Sequence, residues 1–446
     1  MTAFQTLPGF REFLPGDCAL REHFFRVWRS VLRKHGFEEW DGPALEPLDL
    51  YVEKSGPEIV GQLFHFEDRG ERAVALRPEL TPTLARLVGE RAQSLKRPVK
   101  WFSIGEFYRF ERPQKGRLRA FYQLNVDLLG EAAELADAEV LAIAVHLLQA
   151  FQLEPTEVGI RLSDRTLWTL FLESLGVTGP EVAAVLQVID KMDRVPEEKT
   201  LEALEARFPD QAADFLAKVH GIRSIRGLDE IEAFFSAHLS AASGTPALGQ
   251  RLQQWRQLMN HLEALGLAPW VEIDLGIVRG LAYYTGFVFE AFEKGEGGRA
   301  LAGGGRYDSL IERMGGPAFP AVGFALGDVT FRDTLENRGK LPRLVQHPDV
   351  FVITAGEDEL NLGLGLISRL RSAGYAVDYS FRSGGFGKKF REAGQSGAPL
   401  GLILGSEERE SETVKLRDFR SREEWSVPQT DLLTAVARFF SDSGSA

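Results

Sequence analysis

Between Phe107 and Asp127 the chain reads FYRFERPQKGRLRAFYQLNVD, which gathers the cations Arg109, Arg112, Lys115, Arg117 and Arg119. Such a group is an anion-binding device. The guanidinium donors form a planar fork that matches phosphate oxygens two at a time. Glu111 stands among them and can orient an arginine or accept from a base amino group. Gln123 and Asp127 follow, four apart. Strand side chains repeat every second residue, so that spacing puts an acceptor and a carboxylate on one face beside the arginines. A solvated basic hairpin with a salt-bridged rim would share much of this composition. The order is less generic: Arg-x-Glu entering, Gly-Arg-x-Arg at the tip, Gln-x-x-x-Asp leaving.

The elements that hold these residues are legible around them. An aromatic and β-branched run begins near Trp101, breaks at Pro113–Gly116 and resumes at Arg119–Leu124, which predicts a long hairpin. Upstream, an apolar stripe of Leu20, Phe24, Phe25, Val27, Trp28, Val31 and Leu32 predicts a helix over Cys18–His35 with Gly36 as its C-cap. Phe37–Leu45 reads as a strand whose Pro43 belongs on an edge or bulge. Two short strands flank Glu67–Gly70. In the following Leu76–Arg86 stretch, Pro82 suits an early helix position and Thr81 can cap. Glu79 lies where strand becomes helix, and capping or substrate contact would both suit it. Asp137–Phe151 predicts a helix with a buried face. From about Arg165 to His261 the texture is charged and helical, with a Ser/Ala/Gly loop near Ser240–Pro246.

Sheet returns at Trp270–Asp274 and in a run from Val278 to Glu290. There Arg279 precedes Gly280, and Tyr283 and Tyr284 are adjacent. Neighbouring strand residues face opposite sides, which predicts one tyrosine in the core and one at a rim, or one on a substrate. Arg279 is either a surface ion-pair partner or enters a site. The glycines of Ala302–Asp308 allow close backbone approach but make no G-x-G-x-x-G, so a dinucleotide fold is disfavoured. Ala321–Gly327 reads as a buried strand entering a helix, Asp328–Asn337. A Pro/Gly/basic linker, Arg338–Pro348, leads to a small α/β domain with strands near Val350–Thr354, Ala376–Tyr379 and Leu400–Gly405. Arg382, Lys388, Lys389 and Arg391 give it a basic edge.

The chain's 446 residues suffice for two or three domains. Its 44% hydrophobic and 26% charged residues are ordinary for a globular protein. Cys18 alone cannot form an internal disulfide, which fits a reducing compartment, and no Cys/His cluster suggests zinc. No apolar run approaches the ~20 residues that span a bilayer, and the N-terminus lacks a signal pattern. With a net charge of -12, a nucleic-acid partner would need local basic patches.

The Phe107–Asp127 stretch resembles motif 2 of the class II aminoacyl-tRNA synthetases, in the form used by histidyl-tRNA synthetase. The first helix with the Pro43 strand resembles motif 1, the dimer element. Arg279–Tyr284 is similar to the histidine signature, usually Arg-Gly-Leu-Asp-Tyr-Tyr, with Ala282 at the acidic position. The strand and helix after Ala321 resemble motif 3, which usually ends Gly-x-Glu-Arg with an arginine on ATP. Here Thr330 stands at that position, and Arg332 lies about 200° around the helix from it. The last domain looks like the anticodon-binding domain of the histidine, glycine, threonine and proline enzymes.

The resemblance implies an α+β catalytic domain, 1–340, with a class II synthetase-type antiparallel sheet flanked by helices. It carries a helical insertion at about 165–260, and an α/β anticodon-binding-type domain follows at 349–442. The implied activity is ligation of histidine to tRNA(His) through histidyl-adenylate, by a cytoplasmic homodimer with no membrane association. Arg109 and Arg279 would be catalytic. Glu79, Leu80, Thr81, Arg109, Gln123, Asp127, Arg279, Tyr283 and Tyr284 would bind histidine. Arg109, Glu111, Arg117 and Arg119 would bind ATP, with Mg2+ on its phosphates and no metal held by the protein itself. The competing reading is a histidine-sensing regulatory subunit of ATP phosphoribosyltransferase. Thr330 and Ala282 favour it, while the intact motif 2, Arg279 and the full C-terminal domain weigh against it.

Overall fold

The computed structural model describes residues 4–55, 57–114, 116–209, 211–238, 245–278, 283–295, 300–342, 344, 347–381 and 385–443. Lys115 and Arg279 to Ala282 lie outside them. The chain divides into two compact units, Met1–Pro342 and Arg343–Ala446. Among the described residues no helix is long and apolar enough to cross a membrane.

The first unit opens with an extended arm whose Gly9 carbonyl accepts from the backbone N–H groups of Arg119 and Ala120. Helix α1 (Pro15–Lys34) follows and buries Leu20, Phe24, Phe25, Trp28, Val31 and Leu32, one apolar stripe. Asp17 in its first turn and Arg33 and Lys34 in its last complement the helix dipole. Gly36, at φ 75°, takes the left-handed turn that ends it. The expected Phe37–Leu45 strand is two strands in different sheets. β1 (Glu38–Glu39) pairs with the edge of the large sheet, and β2 (Leu45–Pro47) enters a three-stranded sheet with β3 (His65–Glu67) and β4 (Ala73–Leu76). The chain must leave the first sheet here. Pro43 has no N–H to donate, and the Asp41 carboxylate and Gly42 carbonyl are taken by Arg77, at 2.6 and 2.8 Å.

After α2 (Leu48–Ser55), α3 (Thr81–Arg91) begins one residue earlier than a Thr81 cap would allow. Thr81 is its first residue, and Leu80 at the N-cap makes no side-chain bond. The long hairpin is β5 (Val99–Tyr108) and β6 (Ala120–Leu129), followed by α4 (Glu134–Ala150) and β7 (Val158–Asp164). The insertion is α5 (Arg165–Ser174), α6 (Pro180–Lys191), α7 (Glu197–Glu205), α8 (Ala212–Arg223), α9 (Leu228–His238) and α10 (Thr245–Ala264). Pro246 therefore lies inside α10 rather than in the expected loop, where an early-turn proline is tolerated. Residues 239–244 of that loop lie outside the described residues. Asp164 caps α5 and also accepts from Arg251 and Trp255 of α10, each at 2.6 Å, tying the insertion's two ends together.

The chain returns through β8 (Val271–Ile273), β9 (Phe287–Glu293), β10 (Ala300–Arg306), α11 (Leu310–Arg313), β11 (Ala321–Gly327) and α12 (Asp328–Asn337). The eight-stranded sheet has the order β1-β5-β6-β11-β10-β9-β7-β8. It is antiparallel except at its two edge pairs, β1–β5 and β7–β8. Its register decides the faces. Even-numbered residues of β6 look toward helices, as Tyr122 does against Phe25 of α1. Odd-numbered residues line the other face in opposed rows: Gly105, Gln123 and Gly327; Ser103, Asn125, Ala325 and Gly303; Trp101, Asp127, Gly323 and Gly305. That second face is a floor of small residues. One end of it is roofed by Leu84, Ala85 and Val88 of α3, Leu310 and Ile311 of α11, and Tyr283, Tyr284 and Tyr307.

The second unit is a five-stranded sheet, β13-β12-β14-β15-β16. Strands β12 (Val350–Thr354), β13 (Val377–Tyr379) and β14 (Leu400–Leu404) run parallel, with α13 (Glu357–Ser372) and α14 (Phe386–Ser396) between them. The short α15 (Ser406–Glu410) follows, then the antiparallel β15 (Thr413–Asp418) and β16 (Glu424–Pro428), and α16 (Leu432–Ser443). Lys389 is not on a basic edge. It is buried, and its ammonium donates to the Thr354 carbonyl and hydroxyl at 2.9 and 3.1 Å. Arg382 lies outside the described residues.

Candidate active site

The arginine hairpin is docked on the segment that leads into α3. Arg109 Nε donates to the Pro78 carbonyl at 3.1 Å, and the Tyr108 N–H donates to the Arg77 carbonyl at 3.0 Å. Arg109 also lies over the Phe121 ring, 5.0 Å from its centroid. Glu79, Leu80 and Thr81 thus stand beside Arg109. Leu80 is buried and can offer a ligand only its backbone. The Glu79 carboxylate acts electrostatically on the buried Tyr51 hydroxyl, helping to push its pKa well above the ordinary value after burial itself. At the hairpin tip Arg117 pairs with Glu111 at 3.5 Å. Arg119 is structural in part: its Nε donates to the Glu111 carbonyl at 3.0 Å and its guanidinium covers Phe110.

Gln123 and Asp127 share the floor with the glycines. Asp127 is buried and accepts a hydrogen bond from the Tyr307 hydroxyl. Burial pushes its carboxyl up to about 7 and the Tyr307 bond partly opposes that. Nothing larger than glycine fits opposite it, since a Cβ on Gly323 would lie 3.1 Å from the Asp127 carboxyl carbon. Tyr283 and Tyr284 do not face opposite sides. The strand starts only at Phe287, so both sit in the turn before it and converge on one cluster. Their ring centroids are 4.6 Å apart, and Tyr283 meets Tyr307 edge-on at 5.9 Å. Arg279 lies outside the described residues.

Two participants were not singled out by sequence. Arg77 is buried with its guanidinium over Gly105, held by the Glu106 carbonyl at 3.0 Å and by Asp41. Tyr307 reaches Asp127 across 180 residues. Its only signal was the Gly-Arg-Tyr-Asp run at a strand end. Near Thr330, Arg332 is engaged with Asp17 of α1 at 3.2 Å, and Asp328 is held by Arg11 at 2.7 Å and the Tyr122 N–H at 2.9 Å. A separate cleft beside β8 is lined by Arg161, Arg223, Arg226, Asp193 and Asp274. Its arginines are already ion-paired to those aspartates, so it is a latch between insertion and sheet rather than a second anion site.

The family model for histidyl-tRNA synthetase matches residues 9–328, and one for an anticodon-binding domain matches residues 349–438. The chain belongs to the histidyl-tRNA synthetase family. A relative from Opitutus terrae named histidine–tRNA ligase is 47% identical, covering 99% of this chain and 100% of its own. A chloroplastic/mitochondrial histidine–tRNA ligase of Arabidopsis thaliana is 35% identical over 95% of this chain and 85% of its own. The crystal structure of histidyl-tRNA synthetase from Nostoc sp. PCC 7120 superposes with a TM-score of 0.77 at 25% identity, covering 98% of this chain and 100% of that one. Within this synthetase family fold, the large mixed sheet flanked by helices and the separate C-terminal sheet are the two parts that the sequence predicts.

Proposed function

We propose that the protein is a histidine–tRNA ligase, which activates histidine with ATP and passes it to the 3′ end of tRNA(His). The observation that carries this reading is the joining of the arginine hairpin to the Pro78–Thr81 segment beside a glycine floor bearing Gln123 and Asp127. The histidine carboxylate is already an anion, so attack on the α-phosphate needs positioning and charge neutralisation rather than a side-chain base. Arg109 would hold the carboxylate and α-phosphate, and Arg279 would neutralise charge developing on the other side. Arg117 and Arg119 would face the outer phosphates, and Glu111 the adenine. Glu79, Thr81 and the Leu80 backbone would hold the amino group. Gln123, Asp127, Tyr283 and Tyr284 would receive the side chain.

Mg2+ would neutralise the phosphates as an ion carried by ATP, since hard oxygen ligands suit it. Among the described residues no group of three or more His, Cys, Asp or Glu is placed to hold a metal. The second unit would take the tRNA anticodon. Two-fold pairing through α1 and the β1 edge would cover a strand that otherwise invites uncontrolled association. Charging tRNA would place the protein in the cytoplasm, where the lone Cys18 stays reduced. A regulatory subunit needs neither the hairpin nor an anticodon-binding domain, so that alternative is the weaker one.

Pyrophosphate exchange with each of the twenty amino acids tests the proposal. Exchange with histidine alone is expected, and Arg279→Ala should lower it roughly a hundred- to thousandfold with melting unchanged. No exchange in the unsubstituted protein would overturn the ligase reading.

A further inference from the structure

The run from β8 to β9 ends in the tyrosine turn that helps to roof the floor. Its far end is bound to the catalytic sheet, where the Thr285 N–H donates to the Arg306 carbonyl at 2.8 Å. Its near end leaves the sheet at once. The β7–β8 ladder stops at Ile273, and the Asp274 N–H makes one last bond, to the Leu162 carbonyl at 2.9 Å. From there the insertion takes over. Trp168 of α5, fully buried, donates its indole N–H to the Leu275 carbonyl at 3.0 Å. Arg226, between α8 and α9, pairs with Oδ1 of Asp274 at 3.1 Å. That same oxygen accepts from the Gly276 N–H at 2.9 Å, so the ion pair and the first bend of the run share one atom. The guanidinium is set in place beforehand, because Nη1 of Arg226 also donates to the Arg223 and Ile225 carbonyls at 2.7 and 2.8 Å.

A segment outside a ladder takes its position from the few bonds at its ends, and a displacement of about 1 Å can cost a reaction roughly a hundredfold. Leu275 is fully buried, so its carbonyl needs a donor, and the sheet has none to give once the ladder has stopped. A phenylalanine would fill the place of Trp168 without holding that carbonyl. Resting on the ligase reading above, we infer that Trp168 and Arg226 are positioning residues for amino-acid activation. Reaching out of the insertion, they fix where the run that ends in Tyr283 and Tyr284 departs from the sheet. By sequence the same run carries Arg279. The insertion is then part of the scaffold of the histidine pocket, while the ATP side rests on the β5–β6 hairpin and is independent of it.

Pyrophosphate exchange by the full chain, normalised to the number of active sites, tests this in Trp168→Phe and Arg226→Met. Arg226 is half exposed and Arg161 stands 3.7 Å from the other Asp274 oxygen, so the second variant leaves no buried charge bare. Each should raise the KM for histidine at least fivefold and lower kcat at least tenfold, with the KM for ATP within twofold of the parent. Asp274→Asn should match Arg226→Met, and the double variant should be no worse than either, as two ends of one contact require. Arg223→Met is the control. It breaks the pair with Asp193 inside the insertion, spares Asp274, and should keep parental constants. Lower melting with an unchanged histidine KM and unchanged kcat per active site would make the latch purely structural and overturn the inference. Equal defects in Arg223→Met would mean a general loosening and overturn it too, leaving the ligase reading intact in both cases. Failure of the unsubstituted chain to exchange with histidine would overturn the ligase reading and the inference together.

Discussion

Arg306 and Tyr307 are neighbours in the chain yet clasp two different buried aspartates on opposite faces of the large sheet. Arg306 turns toward α4 and meets Asp137, with Nε at 3.2 and 3.1 Å from its two oxygens, while its other donors reach the Glu131 and Ala133 carbonyls. Tyr307 turns toward the floor and meets Asp127. Burial pushes both carboxyls up. Asp137, however, faces a guanidinium that favours its charge, and Asp127, among the described residues, is met by a phenol. The first pair is closed and holds α4 to the sheet. The second leaves a carboxyl able to change its proton near neutral pH, in the place where a substrate would lie. Two residues of one type at similar depth thus differ in what stands opposite them and so in how firmly their charge is held.

The comparison can be broken most forcefully at Arg306. Arg306→Met would strand the Asp137 charge in the core, and a loss of about 3–5 kcal/mol is expected. Denaturant unfolding at pH 8 measures it, and the double variant with Asp137→Leu should recover most of the loss. At the floor the outcome should be opposite. Asp127→Asn is expected to reduce histidine activation roughly ten- to a hundredfold, the worth of a charged hydrogen bond, without destabilising the fold.

The pH dependence sharpens that contrast. The Asp127 carboxyl titrates at 3.8 when unperturbed and about 7 when folded. Between those values the folded chain keeps a proton that the unfolded chain has lost. Stability therefore falls as pH rises through that window, by up to about 1.4 kcal/mol per pH unit. Urea midpoints at pH 5 and pH 8 should show this slope in the parent and not in Asp127→Asn. Tyr307→Phe removes the bond that favours the ionised carboxyl, so the midpoint of the histidine-binding pH profile should move up by roughly one unit. Smallest of all, Arg117→Ala breaks an exposed pair with Glu111 and should change stability by less than about 1 kcal/mol. It should raise the KM for ATP in exchange kinetics.

What the sequence made legible was local. The motif 2 hairpin announced itself because aromatic strands, a Pro-Gln-Lys-Gly turn and clustered arginines all lie within one short stretch. The helix at Asp328–Asn337 matches its expected bounds because a glycine-rich strand runs straight into it. The expectations that changed depend on distant partners or on where a strand begins. Pro43 sits between two sheets, which no single-strand pattern can reveal. Tyr283 and Tyr284 share a cluster because β9 starts at Phe287. The clasps of Arg306 and Tyr307 span 169 and 180 residues, so periodicity carries no trace of them. The second unit's β15 and β16 carry little signal in the sequence because their alternation is short and interrupted by charge.

The glycine floor has a consequence for inhibition. Gly105 and Gly323 have occupied space where a side chain would begin: a Cβ would lie 3.1 Å from the guanidinium carbon of Arg77 in one case and from the carboxyl carbon of Asp127 in the other. A compound lying flat on this floor would touch backbone and the polar groups proposed to hold the substrate, and little else. The usual escape by point substitution, enlarging a pocket residue to exclude the drug, would then push on Arg77 or Asp127 first. Resistant variants selected against such a compound are expected to map to the roof, at α3 or the tyrosine turn, and to leave these two glycine codons unchanged.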